Sequence, residues 1–257
     1  MRPRRQRSNH GTNERNNWFS MTPPLFSLNF RVDERLLSLW ANDRGFAPRN
    51  GGQLPGRLYH HALIELLGDR TPEAFSIIRH HSFGISIAFY SPFDLDALRR
   101  PSRGRGVADV ENSIKFKRAY CAPAPKFKPG ELVAFLVRIC PDAELKADRS
   151  MPAGAIKQSE YSYLQRCVKF LANEFNDCGE EITIELVEMR YDPINISENI
   201  HETFNEWTPS LLLRCEMNIS NICKLNDLML SGVGNWRHHG YGMLRISTDW
   251  RSPIITV

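Results

Sequence analysis

The sequence predicts an α+β fold in two halves, and three observations carry that reading. Short segments in which apolar and polar residues alternate recur along the chain, as strands do. Between them lie stretches with apolar residues at helical spacing, and at 257 residues with 42% hydrophobic positions the chain can build one large domain or two small ones.

Residues 1–22 are rich in Arg, Asn and Ser and offer little apolar surface to offset their ordering entropy, so they are expected to be a disordered basic tail. Phe26, Leu28, Phe30 and Val32 then alternate with polar residues and define a first strand over 25–32. After a glycine loop at 51–56, Leu58 to Leu67 reads as a helix stopped by Gly68, with His60 and His61 in its first turn. A second strand is expected from Phe83 to Tyr90, ended by Pro92. Residues 101–106 read as an exposed basic loop, followed by a strand near Ser113 to Tyr120 and an apolar strand from Leu132 to Ile139. Segment 142–156 links the halves. The second half is expected to hold a helix from Glu160 to Phe175, strands at Ile182–Glu188 and Leu211–Met217, a short helix at Leu225–Leu230 and a closing strand at Met243–Ile246. This order is compatible in each half with the split βαβ arrangement of a ferredoxin-like (RRM-like) unit, although sequence order does not select that topology by itself. The expected organisation is a tail over 1–22, an N-terminal ferredoxin-like domain over 23–141 and a C-terminal one over 142–257, two such domains in tandem with a glycine-rich loop near the C-terminus.

Charge narrows the function classes. The tail carries the chain's net +4, which leaves the remainder neutral but segregated. Arg99, Arg100, Arg103, Arg105, Lys115, Lys117, Arg118, Lys126 and Lys128 face only Asp109 and Glu111 within 98–130, a candidate polyanion-binding segment. Between Glu180 and Glu206 the balance is reversed, and that run reads as a solvated or partner-facing surface. No apolar run approaches the roughly 20 residues that cross a bilayer, so a cytoplasmic protein is the default expectation. The six cysteines contain no Cys-x-x-Cys pair and no histidine at zinc-ligand spacing, so they are expected to be reduced and mostly buried, with no metal or other cofactor. A serine-hydrolase reading fails for want of a G-x-S-x-G elbow.

The most specific signal is the segment 232–242. Gly232, Gly234, Gly240 and Gly242 form a G-φ-G-x5-G-φ-G pattern, with Arg237, His238 and His239 between the two pairs. Glycines there permit positive φ and would let a nucleic-acid backbone come close to main-chain N–H groups. The bland alternative is a glycine-rich turn with no ligand. A Rossmann loop is disfavoured, because no further βαβ unit follows it.

In this segment the chain resembles the RNA-processing proteins of CRISPR systems, the RAMP superfamily and its CasE-like branch in particular. The likeness extends more loosely over 24–247, through the His-Ala-Leu helix, the Gly130-then-strand segment and the Tyr163-Leu helix. The pattern departs from that branch at Cys140-Pro141, where Asn-Pro is common. It departs again at Arg57, which stands where a tyrosine three positions before the helix histidine is usual, whereas Tyr59 adjoins His60 instead. Those departures and the basic tail imply a divergent member, one serving a type IV system. The resemblance implies a metal-independent endoribonuclease that binds the hairpin repeat of CRISPR precursor RNA, cuts beside the stem and stays bound with other CRISPR-associated effector subunits. It aligns His60 with the catalytic histidine, with Tyr59, His61 and Arg57 as its helpers, and Arg44 and Arg49 in reserve. His80-His81 is a weaker pair. Arg237, His238 and His239 are expected to bind RNA and not to cut it, with the cut placed across the molecule at the helix of His60. The alternative is a non-catalytic RNA-binding subunit, and more remotely a general nucleic-acid-binding protein.

Overall fold

The computed structural model describes residues 24–46, 56–80, 84–99, 107–140, 153–195 and 205–247, with the side chains of 107, 153–162, 191, 193–195 and 205–208 outside the description. The expected basic tail, the loop 101–106 with Arg100, Arg103 and Arg105, and Arg49, His81 and most of the linker lie outside the described residues.

Two four-stranded antiparallel sheets organise the chain. The first is built from β1 (Phe26–Val32), β2 (Phe75–His80), β3 (Gly84–Ser91) and β4 (Tyr120–Pro123), in the order β2-β3-β1-β4. The second contains β5 (Leu132–Ile139), β6 (Gly179–Asn195), β7 (Asn205–Ile219) and β8 (Leu244–Ile246), in the equivalent order β6-β7-β5-β8. Each is the sheet of a split βαβ unit, so the α+β tandem ferredoxin-like architecture stands. The unit boundary is different from the expected one. β5 pairs with β7 and β8, so the strand assigned to the N-terminal unit opens the C-terminal one.

Helix α1 (Glu34–Asp43) begins at Asp33, whose carboxylate accepts from the Leu36 amide at 3.3 Å. Helix α2 (Gly56–Leu67) starts two residues earlier than its apolar pattern indicated, which moves His60 and His61 out of the first turn. Leu37, Leu58, Leu63 and Leu66 from these helices cover one face of the first sheet, against Leu28, Phe30, Phe75, Ile87 and Phe89. Phe30 and Phe89 meet edge to face at 5.2 Å, a geometry that adds about 1 kcal/mol to their burial.

The strand expected at Ser113–Tyr120 does not form. A short helix α3 (Leu95–Leu98) and a longer α4 (Val107–Ser113) precede a 3-10 turn at Phe116–Arg118, and pairing begins only at Tyr120. Ile114 and Phe116 are both buried, and their spacing of two mimicked a strand. Lys115 between them adopts φ 47° and turns the chain.

In the second unit, α5 (Ala153–Phe175) and α6 (Ile222–Ser231) pack Cys167, Leu171, Phe175, Leu225 and Met229 on Phe135, Val137, Leu213 and Cys215 of the sheet. That core continues into Ala74, Ala88 and Tyr90 of the first sheet, so the two units share apolar packing. Among the described residues, no helix is long and apolar enough to cross a membrane.

Candidate active site

Helix α2 sorts its side chains by period. Tyr59, Ala62, Leu63 and Leu66 recur at helical spacing and are buried, which leaves Arg57, His60 and His61 half-buried at the margin of that stripe. Tyr59 is fully buried, and its phenol donates to the Glu34 carboxylate at 2.7 Å. Burial and that carboxylate push its pKa upward. The hydroxyl expected to assist His60 instead ties α2 to α1, and its bond to Glu34 is the contact the structure gives it. His61 turns toward α1 and stacks on Phe46 at 5.4 Å. His60 turns the other way, its ring parallel to Phe75 at 6.2 Å.

The glycine segment follows α6 and is closed at its neck. Val233 N donates to Gly242 O at 2.9 Å, and Gly242 N donates to the Arg138 carbonyl of β5 at 2.7 Å. Gly242 has φ 78°, and a β-carbon there would overlap the Val233 carbonyl oxygen. At Gly232 a β-carbon would collide with Ala74, and at Gly240 it would press on Ile77 and Phe75. These three glycines are thus required by protein contacts. Contacts within the protein already account for Gly232, Gly240 and Gly242, so these glycines carry no separate argument for an RNA backbone. Gly234 differs: its φ is 80° and the nearest atom to an added β-carbon is Phe170 Cε1 at 4.0 Å.

Folding the loop onto β2 delivers its tip to α2. Arg237–His239 form a 3-10 turn, and the His238 ring centroid lies 4.4 Å from that of His60. Gly56 at the start of α2 packs so tightly on the His239 carbonyl that a β-carbon would overlap it. The helix and the loop, expected on opposite sides of the molecule, form one corner. The sequence held no signal for this beyond Gly56 itself, which was read only as part of a loop.

The electrostatics of the corner are one-sided. Burial, then His238, His61, His239 and Arg57, hold the His60 pKa down to about 4. Burial and Arg57 lower that of His61, and burial followed by Arg237 lowers that of His238, opposed by Glu73. His60 Nδ1 and His61 Nε2 have no hydrogen-bond partner among the described residues. Arg237 is partly engaged: it donates to Ser231 O at 2.8 Å and lies 3.5 Å from Glu73.

The opposite flank of the loop is closed by polar contacts that the sequence reading missed. Tyr241 donates to Asp192 Oδ2 at 2.9 Å, Ser210 donates to the same oxygen at 2.6 Å, and Arg190 pairs with Oδ1 at 2.8 Å. Arg138 donates to Ser210 at 3.2 Å and pairs with Glu188. Asp192, Glu188 and Arg190 belong to the acidic run read as a solvated surface. For Asp192 that reading is corrected, because the residue is 8% exposed and anchors the loop.

Of the basic segment, Arg99 lies over the Phe116 ring at 5.8 Å and Lys115 pairs with Asp33 at 3.2 Å. Lys117 and Arg118 are exposed, and none of these four is brought to the His60 corner. Arg44 pairs with Glu65 at 2.7 Å, and His80 Nε2 lies 2.9 Å from Ser86 Oγ, both away from the loop.

No family model and no curated protein matches the chain by sequence. Solved structures do match. The CRISPR endoribonuclease Cse3 bound to a 19 nt RNA aligns at 13% identity with a TM-score of 0.51, over 87% of this chain and 99% of that one. Cas6e from Escherichia coli K-12 aligns at 12% identity and 0.44, covering 87% and 98%, and a chain of a CRISPR RNA-guided surveillance complex at 14% and 0.49, covering 86% and 98%. The first of these carries the fold correspondence: this chain has the tandem ferredoxin-like fold of Cse3 over nearly its whole described length.

Proposed function

We propose that this protein is a metal-independent endoribonuclease that binds a hairpin repeat of CRISPR precursor RNA and cleaves it beside the stem. The observation that carries the reading is the approach of His238 to His60 at 4.4 Å, in a corner where Arg57, His61 and His239 also act on His60 and Glu73 acts on His238. Such a corner repels protons until an anion enters, and a phosphodiester is an anion that two imidazoles and a guanidinium can grip.

His60, neutral at pH 7, accepts the proton of the 2′-hydroxyl as that oxygen attacks the scissile phosphorus. His238, more exposed and protonated once the phosphate is beside it, donates to the departing 5′-oxygen. Arg57 steadies the charge on the phosphorane oxygens. The products are a 2′,3′-cyclic phosphate and a 5′-hydroxyl, and each proton leaving one oxygen is balanced by one arriving at the other. In this reading His238 takes a chemical role in place of a purely binding one, and His61 supports from the Phe46 side. The stem runs along the exposed cations of 98–130, and retention of the product within an effector complex follows from the family resemblance. The departures at Arg57 and Cys140-Pro141 support a divergent branch, of the type IV kind.

The test is incubation of purified protein with hairpin repeat RNA in EDTA, with the ends of the products identified chemically. A cut giving a cyclic phosphate supports the reading. Tight binding with no cut would leave the non-catalytic subunit instead, and equal affinity for duplex DNA would remove both.

A further inference from the structure

The face of the first sheet away from α1 and α2 is covered by the second unit at Ala88 and Tyr90, and elsewhere it carries a groove that the cleavage reading does not use. Helices α1 and α2 cover the Leu28, Phe30 and Ile87 face. On the other face, Asn29 of β1 stands opposite Tyr120 of β4, and Arg31 opposite Ser86 of β3. His80 of β2 joins them through Ser86. Together with Arg118 these residues line a groove of about 420 Å³, with no carboxylate among its described lining. Tyr120 is 64% exposed, an unusual position for an aromatic ring on a sheet.

We infer that this face is a second RNA subsite, which takes a short single strand of RNA by stacking a base on Tyr120. The ring supplies a sequence-tolerant platform, Arg31 and Arg118 supply charge for the neighbouring phosphates, and Asn29 and the His80–Ser86 pair supply donors and acceptors for a base edge. Duplex RNA does not fit this chemistry, because its bases are already stacked on one another. A protein partner is less suited, since the groove sets two arginines around one exposed ring and its aliphatic residue, Ile85, is 3% exposed. The subsite rests on the RNA-processing reading for its occupant: it receives the unpaired strand that adjoins the hairpin, while the scissile phosphate sits at the His60 corner and the stem lies along the remaining cations of 98–130.

Fluorescence anisotropy on the full chain tests it, with three labelled RNAs: the hairpin alone, the hairpin with an unpaired extension at either end, and the extension alone. The extension is expected to tighten hairpin binding by about tenfold, the gain of roughly one stacked base. Tyr120→Ala should abolish that gain, Tyr120→Phe should keep it, and Arg118→Gln should reduce its salt dependence by about one counterion. Hairpin affinity and cleavage should be unchanged in Tyr120→Ala. An extension that adds nothing, or one whose gain survives Tyr120→Ala, overturns the subsite. If the hairpin alone fails to bind, the cleavage reading is lost, while Tyr120-dependent binding of the isolated strand still decides the subsite.

Discussion

The two flanks of the glycine loop are built on opposite principles. Toward β6, Tyr241 and Ser210 both donate to Asp192, Arg190 pairs with it, and Arg138 ties Ser210 to Glu188. Toward α2, the loop presents His238 to His60, whose Nδ1 has no hydrogen-bond partner among the described residues and whose neighbours His61, His239 and Arg57 disfavour its protonation. Buried polar groups that bond one another hold an element in place, as the shared acceptor Asp192 does here, with Arg190 contributing an ion pair. The difference teaches that one flank fixes the loop, which holds His238 beside His60 on the other.

Removing the reactive flank is the sharpest way to break this comparison. His60→Ala is expected to slow single-turnover cleavage of hairpin RNA by roughly 10²- to 10⁴-fold, the range of a lost general base, while hairpin affinity and melting temperature change little. Near-normal cleavage would transfer the chemistry to Arg57 and His61. The next effect comes from moving the loop without touching any reactive group. In Gly56→Ala the added methyl overlaps the His239 carbonyl, so the turn carrying His238 must shift. A displacement near 1 Å costs on the order of 10²-fold in rate. Unchanged cleavage in a folded Gly56→Ala protein would mean that the separation of His60 and His238 does not matter. On the anchoring flank, Tyr241→Phe removes one donor to a buried carboxylate and should lower stability by about 1.5 to 3 kcal/mol, read by urea unfolding. If stability is untouched, the network does not hold the loop.

What the sequence made legible, and what it hid, divides along the same line. Strands with one covered face, such as Phe26–Val32, announce themselves by alternation, and so does the amphipathic helix Glu34–Asp43 once its Asp33 cap is recognised, although its apolar residues were passed over. The edge strand Tyr120–Pro123 and the turn before it were illegible, because Ile114 and Phe116 reach the core from a helix end at a strand-like spacing. The identity of the site residues was partly legible: His60 and His238 were both singled out. Their meeting was not, since it depends on Gly56, Gly240 and the β2 surface fitting together across units far apart in the chain. The glycines illustrate the gap well, for a G-φ-G pair reads the same whether it admits a phosphate or its own backbone.

The smallest effect separates the flanks by protons. In the free protein the His60 pKa is held to about 4, below the ordinary histidine value near 6.5, by burial first and then by His238, His61, His239 and Arg57. The unfolded chain therefore binds a proton at this position between those values and the folded chain does not. Stability from this group is full above about pH 6.5 and is lost as pH falls toward about 4. His60→Gln should accordingly lose less melting temperature than the parent between pH 7 and 4.5, with other titrating groups common to both. Bound phosphate inverts the balance around His238, whose pKa burial and Arg237 hold down in the free protein, so hairpin binding at pH 6 should take up protons, seen as a buffer-dependent enthalpy in calorimetry. That uptake should shrink in His238→Gln and persist in Tyr241→Phe, whose buried network carries no histidine. Equal uptake in both variants and the parent would show that the phosphate sits elsewhere, and the two flanks of the loop would then differ in structure without differing in function.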